Sequence, residues 1–419
     1  MPRKTAKSSE TGALALGRKA ATKALKKDES QWRVIMDDSM LQESLPHIPT
    51  GSIIIDYLIG GERNDKGVMP CPGIPRGRIT QLWGHESAGK TTLALTAAAT
   101  CCAQGGTVLF VDWENAIVPD YAAALGVPVT DPSKFELVQP DTLEDGLKLA
   151  QIYALAGVDL IIFDSVGAAV PSRIANRDLG EVGEQARVGE LQAVWSQELP
   201  NLRGAVAKKG AAIMGISQIR AKISTGPSYG PQTQPQGGNA WKFYSDVRIE
   251  LRRVKTEKSN LFDALTNTKD QRITGGLINC KLVKCKISPS QGREGRFYIR
   301  HGDGIDDIRS VMEIATKYKL IKKAGSWLTW ETPEGEEIKC QGTDKLRDHL
   351  KENPDHFRVM VNAVTPFLSS FQTDEDDFED LGDGDVDALL AEADAMSGKH
   401  KGKDKDEDED EGYDEDSDE

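Results

Sequence analysis

Between residues 84 and 91 the chain reads Gly-His-Glu-Ser-Ala-Gly-Lys-Thr, and its flanks leave few ways to fold it. An apolar, strand-like Ile79-Thr80-Gln81-Leu82-Trp83 precedes it. Residues 92–104, rich in Ala and Leu and stopped by Gly105-Gly106, read as the helix that follows. Strand, glycine-bracketed loop and helix in that order turn consecutive backbone N–H groups onto one anion, and the helix N-terminus adds partial positive charge there. Gly84, Glu86, Ser87, Ala88, Gly89, Lys90, Thr91 and Thr92 are therefore the candidate phosphate cradle. Lys90 is expected to reach the β- and γ-phosphates, and the Thr91 hydroxyl to ligate Mg²⁺. The chain is expected to bind a nucleoside triphosphate.

Charge is distributed very unevenly along the 419 residues, whose formal sum is -14. Residues 374–419 hold 23 Asp and Glu against 4 Lys, and residues 1–30 hold 8 basic side chains against 3 acidic. The middle is near neutral, which neither requires nor excludes a basic face for nucleic acid. Cysteines 71, 101, 102, 280, 285 and 340 form no C-x-x-C pair and have no His at zinc spacing. They read as reduced thiols of a cytoplasmic protein. No apolar run reaches the ~18–20 residues of a membrane span, so no membrane partner is expected.

Four segments follow from composition and pattern. Residues 1–30 are a basic arm with a short helix at 13–27, and residues 31–304 an α/β core opened by a strand at 32–36. Residues 305–372 form a small α+β domain, helical at 306–322 and 343–370 with a hairpin at 327–340. Residues 373–419 are an acidic, disordered tail with one short amphipathic helix, either a partner-docking element or a solvated one. In the core, strand candidates at 79–83, 107–112, 158–164, 211–217, 247–251 and 276–287 alternate with helices, which argues a mostly parallel sheet covered on both faces. Residues 60–73, with six Gly and Pro and few apolar groups, read as a surface insertion.

The strand at 158–164 ends in Asp164, a carboxylate suited to the Mg²⁺ shell beside a phosphate loop. Another strand leads into Asp112-Trp113-Glu114-Asn115. There Glu114 is either the base that positions water at the γ-phosphate or a surface glutamate. Residues 172–190 and 222–240 are long, polar and Gly-rich, and both follow strands. Loops of that length tend to be functional. Basic residues together with Ile223 and Tyr229 suit single-stranded nucleic acid; two surface insertions are the other reading.

Seven motifs in one order resemble the RecA recombinases, from about residue 31 to 370. They are GHESAGKTT, VDWENAIVPDYAAALGV, QPDT at 139–142, FDSVGAAVP at 163–171, SQIR at 217–220, GGNAWKFYSDVRIELRR at 237–253 and KAGSW at 323–327. The last resembles the C-terminal domain of bacterial and phage-type members. The resemblance implies a RecA-type P-loop ATPase core with an N-terminal helix-strand polymerisation arm. It implies ATP and Mg²⁺ as cofactors, Asp164 beside Thr91, Tyr121 stacked on adenine and Glu114 activating water. Gln218 would sense the γ-phosphate, and Lys284 and Lys286 would reach the ATP of a neighbouring protomer. DNA contacts would come from Arg187, Val188, Ser196, Arg220, Lys222, Ile223, Tyr229, Gly237, Gly238 and Asn239, with Val188 and Ile223 wedged between base triplets. The chain departs from the family at Val118 for an acidic residue beside adenine and at Ser217 for asparagine. Ala193 and Pro200 replace two arginines, leaving Arg187 or Arg203 to supply the phosphate contact, and residues 62–73 are inserted.

What the family implies is a DNA-dependent ATPase of recombination, repair and the SOS response. It would form a homo-oligomeric helical filament on single-stranded DNA, pair it with double-stranded DNA and exchange strands. Its place would be the cytoplasm and nucleoid, or a host cytoplasm if a phage encodes it. The acidic tail would take loader or regulator proteins, or compete with DNA for basic surfaces. The alternative is a slow-turnover filament that serves as a platform for partners. A ring helicase or a kinase is disfavoured, since nothing resembles a helicase's extra domain or a kinase lid.

Overall fold

The computed structural model describes residues 13–28, 43–65, 67–175, 184–221, 233–263 and 268–368. The expected strand at 32–36, the tail, and Lys222, Ile223 and Tyr229 lie outside these. Helix α1 (Ala13–Leu25) is the basic helix of the arm. Strands β1 (His47–Ile48) and β2 (Ile74–Pro75) pair antiparallel and bracket α2 (Ile53–Gly60).

The main sheet is built, in chain order, from β3 (Ile79–Gly84), β4 (Val108–Asp112), β5 (Phe135–Val138), β6 (Leu160–Asp164), β7 (Ala212–Ala221), β8 (Thr233–Pro235), β9 (Val247–Asp263), β10 (Thr268–Cys285), β11 (Glu294–Arg300) and β12 (Gly304–Asp306). Spatially the order is β12-β11-β10-β9-β3-β7-β6-β4-β5, with β8 attached to β7. From β9 through β5 neighbours run parallel, and from β9 to β12 antiparallel. The central strands are mostly apolar on both sides because helices cover both faces. On one face Leu82, Phe110, Ile162 and Met214 pack with α2 and α3 (Lys90–Ala103). On the other, Ile79, Leu109, Ile161 and Ile213 pack beneath α5 (Leu143–Ala156), α7 (Glu184–Lys209) and α8 (Gly238–Tyr244). Two short helices, α4 (Pro119–Ala124) and α6 (Ser172–Ala175), lie between them in sequence. Trp195, Trp241, Phe163 and Trp113 form an aromatic cluster in that second layer, with Trp113 stacked on Phe163, the other pairs edge-to-face, and Trp195 and Trp241 centroids 5.0 Å apart.

Beyond the sheet, α9 (Asp307–Lys317) leads to β13 (Ile321–Ala324), β14 (Trp327–Glu331) and β15 (Glu337–Gln341), then α10 (Thr343–Glu352) and α11 (Pro354–Leu368). The hairpin at 327–340 is present, but β13 joins it as a third strand where helix was expected to 322. One helix over 343–370 is instead two, parted at Asn353-Pro354, where proline disfavours the helical conformation for the residue before it.

Other elements differ from the sequence reading in instructive ways. Residues 60–73 are no simple surface insertion: Met69 and Cys71 are buried, and Ser44 Oγ donates to Met69 O at 2.6 Å. Strand β7 continues past Ser217 to Ala221, and β9 and β10 extend into a long ribbon. Its exposed charged residues, such as Arg252 and Arg272, disguised the strand pattern. Of the first long loop, Ser172 to Ala175 and everything from Glu184 onward are helical.

Asp307, on α9, ties that helix to α2: its carboxylate accepts from Ile53 N at 3.0 Å, while Asp56 accepts from Thr50 N at 2.8 Å. Burial pushes Asp56 from 3.8 up to about 8 and Asp307 up to about 7. Both bind a proton more readily folded than unfolded. The stability this gives is therefore complete below the unfolded value of 3.8 and lost as pH rises through about 7 to 8. Urea unfolding should show the chain losing stability from pH 6 to pH 9. Asp56→Asn should remove on the order of 2 kcal/mol of that loss; an unchanged slope would contradict the assignment.

Candidate nucleotide site

Parallel strands β3, β6 and β4 end at one edge of the sheet, where β7 runs on past Gln218, and the site is assembled there. Gly84 closes β3 so tightly against β9 that a Cβ would stand 2.1 Å from Leu251 O. Gly89 has φ +81°, and a Cβ on it would lie 2.1 Å from Ile299 Cδ1. Only glycine fits at both ends of the loop. Between them Ser87 holds φ 58°, and Arg253 from β9 donates through Nη2 to Ser87 O at 2.7 Å. Helix α3 starts at Gly89 with no side-chain cap, which leaves its first N–H groups facing the loop. Glu86 and Ser87 are exposed, Ala88 is buried.

Lys90 is buried, and its ammonium donates to Gly84 O at 3.0 Å and His85 O at 2.6 Å. Burial pushes its pKa down, against the pull of Asp164, Glu114 and Glu86. Thr91 Oγ1 donates to Asp164 Oδ2 at 2.8 Å. Burial raises the Asp164 carboxyl to about 7, with Glu114 and Asp112 adding to it and Thr91 and Lys90 opposing. An enclosed hydroxyl and carboxylate side by side are the hard oxygen donors Mg²⁺ selects, and a cation there would offset the cost of ionising Asp164. The residues fit the ion.

Asp112, buried at the end of β4, accepts from the backbone N of Glu114 at 3.0 Å, Ala116 at 3.0 Å and Ile117 at 3.2 Å. Gln139 Nε2 lies 3.3 Å from the same carboxylate. That knot turns the chain so that exposed Glu114 points back toward β7, where Gln218 Nε2 donates to Glu114 Oε1 at 3.0 Å. Tyr121 shares a 2.7 Å hydrogen bond with Thr92 Oγ1, while Val118 is 57% exposed.

Gln218 is not at the end of its strand, as the sequence reading had it, but at the base of the β7–β8 ladder, where Gln236 N donates to its carbonyl at 2.8 Å. Arg220 is exposed further along β7. Gly237 and Gly238 take φ +93° and +76°, turning β8 into α8, and Asn239 is exposed. Exposed Ser196 donates to Gln192 O on α7, whose backbone also includes Arg187 and Val188. Arg203 is spoken for: it donates to Tyr244 O at 2.5 Å and Asp246 Oδ1 at 3.0 Å, which removes it as the substitute phosphate contact.

Lys284 and Lys286 do not join the loop within this chain. Lys284 Nζ donates to Lys242 O at 2.8 Å and Phe243 O at 3.2 Å at the C-terminal end of α8, and Lys286 is exposed. Burial, then Lys286 and Arg248, push the Lys284 pKa down. Two site residues escaped the sequence reading. Asp112 carried a signal, lying two residues before Glu114 at a strand end. Arg253 carried none, being one of several charges on a ribbon.

These features define a P-loop nucleotide-binding protein with an α/β core. Residues 19–306 match the family model of the RecA N-terminal domain. Over 347 residues the chain is 36% identical to Protein RecA of Xylella fastidiosa strain M23, covering 81% of this chain and 90% of that protein. The same figures hold for Protein RecA of strains Temecula1 and M12. The chain belongs to the RecA family, recombinases of DNA recombination and repair.

Arg253 acts here by holding the Ser87 carbonyl. Arg253→Met should weaken MgATP binding about tenfold in calorimetry, the loss of one charge-assisted hydrogen bond. Unchanged affinity would remove Arg253 from the site.

Proposed function

We propose that the chain is a DNA-dependent ATPase that assembles as a helical filament on single-stranded DNA and promotes homologous pairing and strand exchange. The observation that carries this reading is the double attachment of Gln218. Its side chain holds Glu114, and its carbonyl holds Gln236 at the foot of the ladder leading into residues 222–232. A shift of Glu114 on hydrolysis moves the base of the second DNA loop, and ordering of that loop by DNA in turn sets Glu114. Binding and turnover are then linked reciprocally.

Lys90 and the uncapped start of α3 hold the phosphates, and Thr91 and Asp164 hold Mg²⁺, which when bound withdraws charge from the phosphate oxygens. Glu114 orients the attacking water and accepts its proton at a carboxylate oxygen. Tyr121, fixed by Thr92, offers its ring to the adenine. Lys284 and Lys286 serve the neighbouring protomer's ATP. Lys284 must exchange its two carbonyls on α8 to do so, which couples the step to the helix that follows the second loop. Arg187, Val188, Ser196, Arg220, Lys222, Ile223, Tyr229 and the turn Gly237-Gly238-Asn239 supply the DNA contacts.

The division into an arm (1–30), core (31–304), small domain (305–372) and acidic tail (373–419) belongs to this reading. So do the cytoplasmic location and a tail that engages loader or regulator proteins. No helix of the described residues is long and apolar enough to cross a membrane.

Glu114→Gln keeps an oxygen to accept from Gln218 but cannot take a proton. Turnover should fall at least about 100-fold while ATP-dependent assembly on DNA persists. Radiometric hydrolysis with electron microscopy of the same samples checks both. A variant with normal turnover would remove Glu114 from its role, and loss of assembly alone would remove the separation of binding from hydrolysis.

A further inference from the structure

One row of polar side chains lies inside the sheet, beneath the nucleotide edge and on the face covered by α7 and α8. Gln81 follows Ile79 on that face of β3, and Ser217 follows Ile213 and Gly215 on that face of β7. Gln81 is 1% exposed, Ser217 is fully buried and Arg248 on β9 is 8% exposed. Arg248 Nε donates to Gln81 Oε1 at 2.7 Å, and Gln81 Nε2 donates to Ser217 Oγ at 2.8 Å. A guanidinium has donors only, so it fixes the amide with its oxygen toward β9 and its nitrogen toward β7. The Arg248 guanidinium also lies 5.9 Å from the centroid of the Trp83 ring.

Burial pushes the Arg248 pKa down. A buried guanidinium is a costly way to fill a core that Leu or Met would pack. Its placement is informative. The residue after Ser217 is Gln218, which holds Glu114, and the residue paired with Arg248 on β10 is Lys284. The row therefore runs across β10, β9, β3 and β7, between the lysine strand and the glutamine that grips Glu114.

We propose that Gln81 and Ser217 are positioning residues for Gln218: the buried amide pins the hydroxyl one residue before it and locks β7 to β9 where Gln218 leaves the core. The proposal rests on the role assigned above to Glu114 and Gln218, and neither Gln81 nor Ser217 touches reacting atoms. Ser217→Ala leaves Gln81 Nε2 buried without its acceptor and lets β7 shift against β3. That displaces Gln218 from Glu114 while Lys90 and Thr91, on α3, keep their places.

The test compares the unaltered chain with Ser217→Ala, Gln218→Ala, the double variant and Gln81→Glu, measuring ATP hydrolysis with single-stranded DNA. Ser217→Ala should lower kcat about tenfold with KM for ATP within about twofold. In the Gln218→Ala background it should lower kcat no further. Gln81→Glu accepts from both Arg248 and the Ser217 hydroxyl, so it should keep kcat within about threefold. A general structural role predicts instead an equal loss with and without Gln218; that result, or an unimpaired Ser217→Ala, overturns the proposal. Should Ser217→Ala lose cooperative unfolding, Ser217→Cys, which keeps the volume and weakens the acceptor, is read in the same cycle. An unaltered chain that does not hydrolyse ATP overturns the underlying functional reading, and this one with it. An unaltered chain that hydrolyses ATP beside an unimpaired Ser217→Ala overturns the positioning role alone.

Discussion

The parallel register of β3, β7, β6 and β4 is the constraint on which the rest of the site depends. Pairing Gly84 with Gln218, and Asp112 with Asp164, brings the ends of β3, β6 and β4 level at one edge, where β7 runs on past Gln218 to Ala221. Residues far apart in sequence then meet without any loop having to reach inward. Lys90 and Thr91 start the helix behind β3, Asp164 ends β6, Glu114 leaves β4 and Gln218 rides on β7. A slip of one residue in any of these strands would turn its side chains to the opposite face.

Burial sets the electrostatics of this edge. The Lys90 ammonium is destabilised and the Asp164 carboxyl is kept near neutrality by the same removal of water. Each group is one whose charged form a nearby opposite charge would stabilise. Lys90 donates to the loop's own carbonyls, and Asp164 accepts from the Thr91 hydroxyl. Glu114 is different in kind. It is exposed, and Asp112 and Gln218 hold it by directed hydrogen bonds.

How much of this could be read from the chain varies with the physics involved. The phosphate loop was legible because left-handed and crowded backbone positions demand glycine at fixed spacing. Asp164 was legible as the polar end of an apolar strand. The meeting of Glu114 with Gln218 was not legible from spacing, since strand order decides it; Glu114 was a candidate from its place after a strand, and Gln218 came from the resemblance to the family alone. Residues 60–73 read as a surface insertion because so few apolar side chains, Met69 and Cys71 among them, suffice to bury a short segment. The β9–β10 ribbon was shortened in the reading because charged side chains on a two-stranded extension have no core face to produce alternation. For the same reason Arg253 went unseen. Gln81 and Ser217 read as minor polar breaks in apolar strands, and only the register of β3 between β7 and β9 brings them together with Arg248.

The claim at the centre is that DNA and nucleotide act on one another through Gln218. The most direct measurement is ATP hydrolysis by the unaltered chain with and without single-stranded DNA, imaged in the same samples by negative-stain microscopy. The account predicts turnover raised roughly tenfold or more by DNA, together with helical filaments that form on it. Turnover indifferent to DNA, whether or not filaments form, would contradict it.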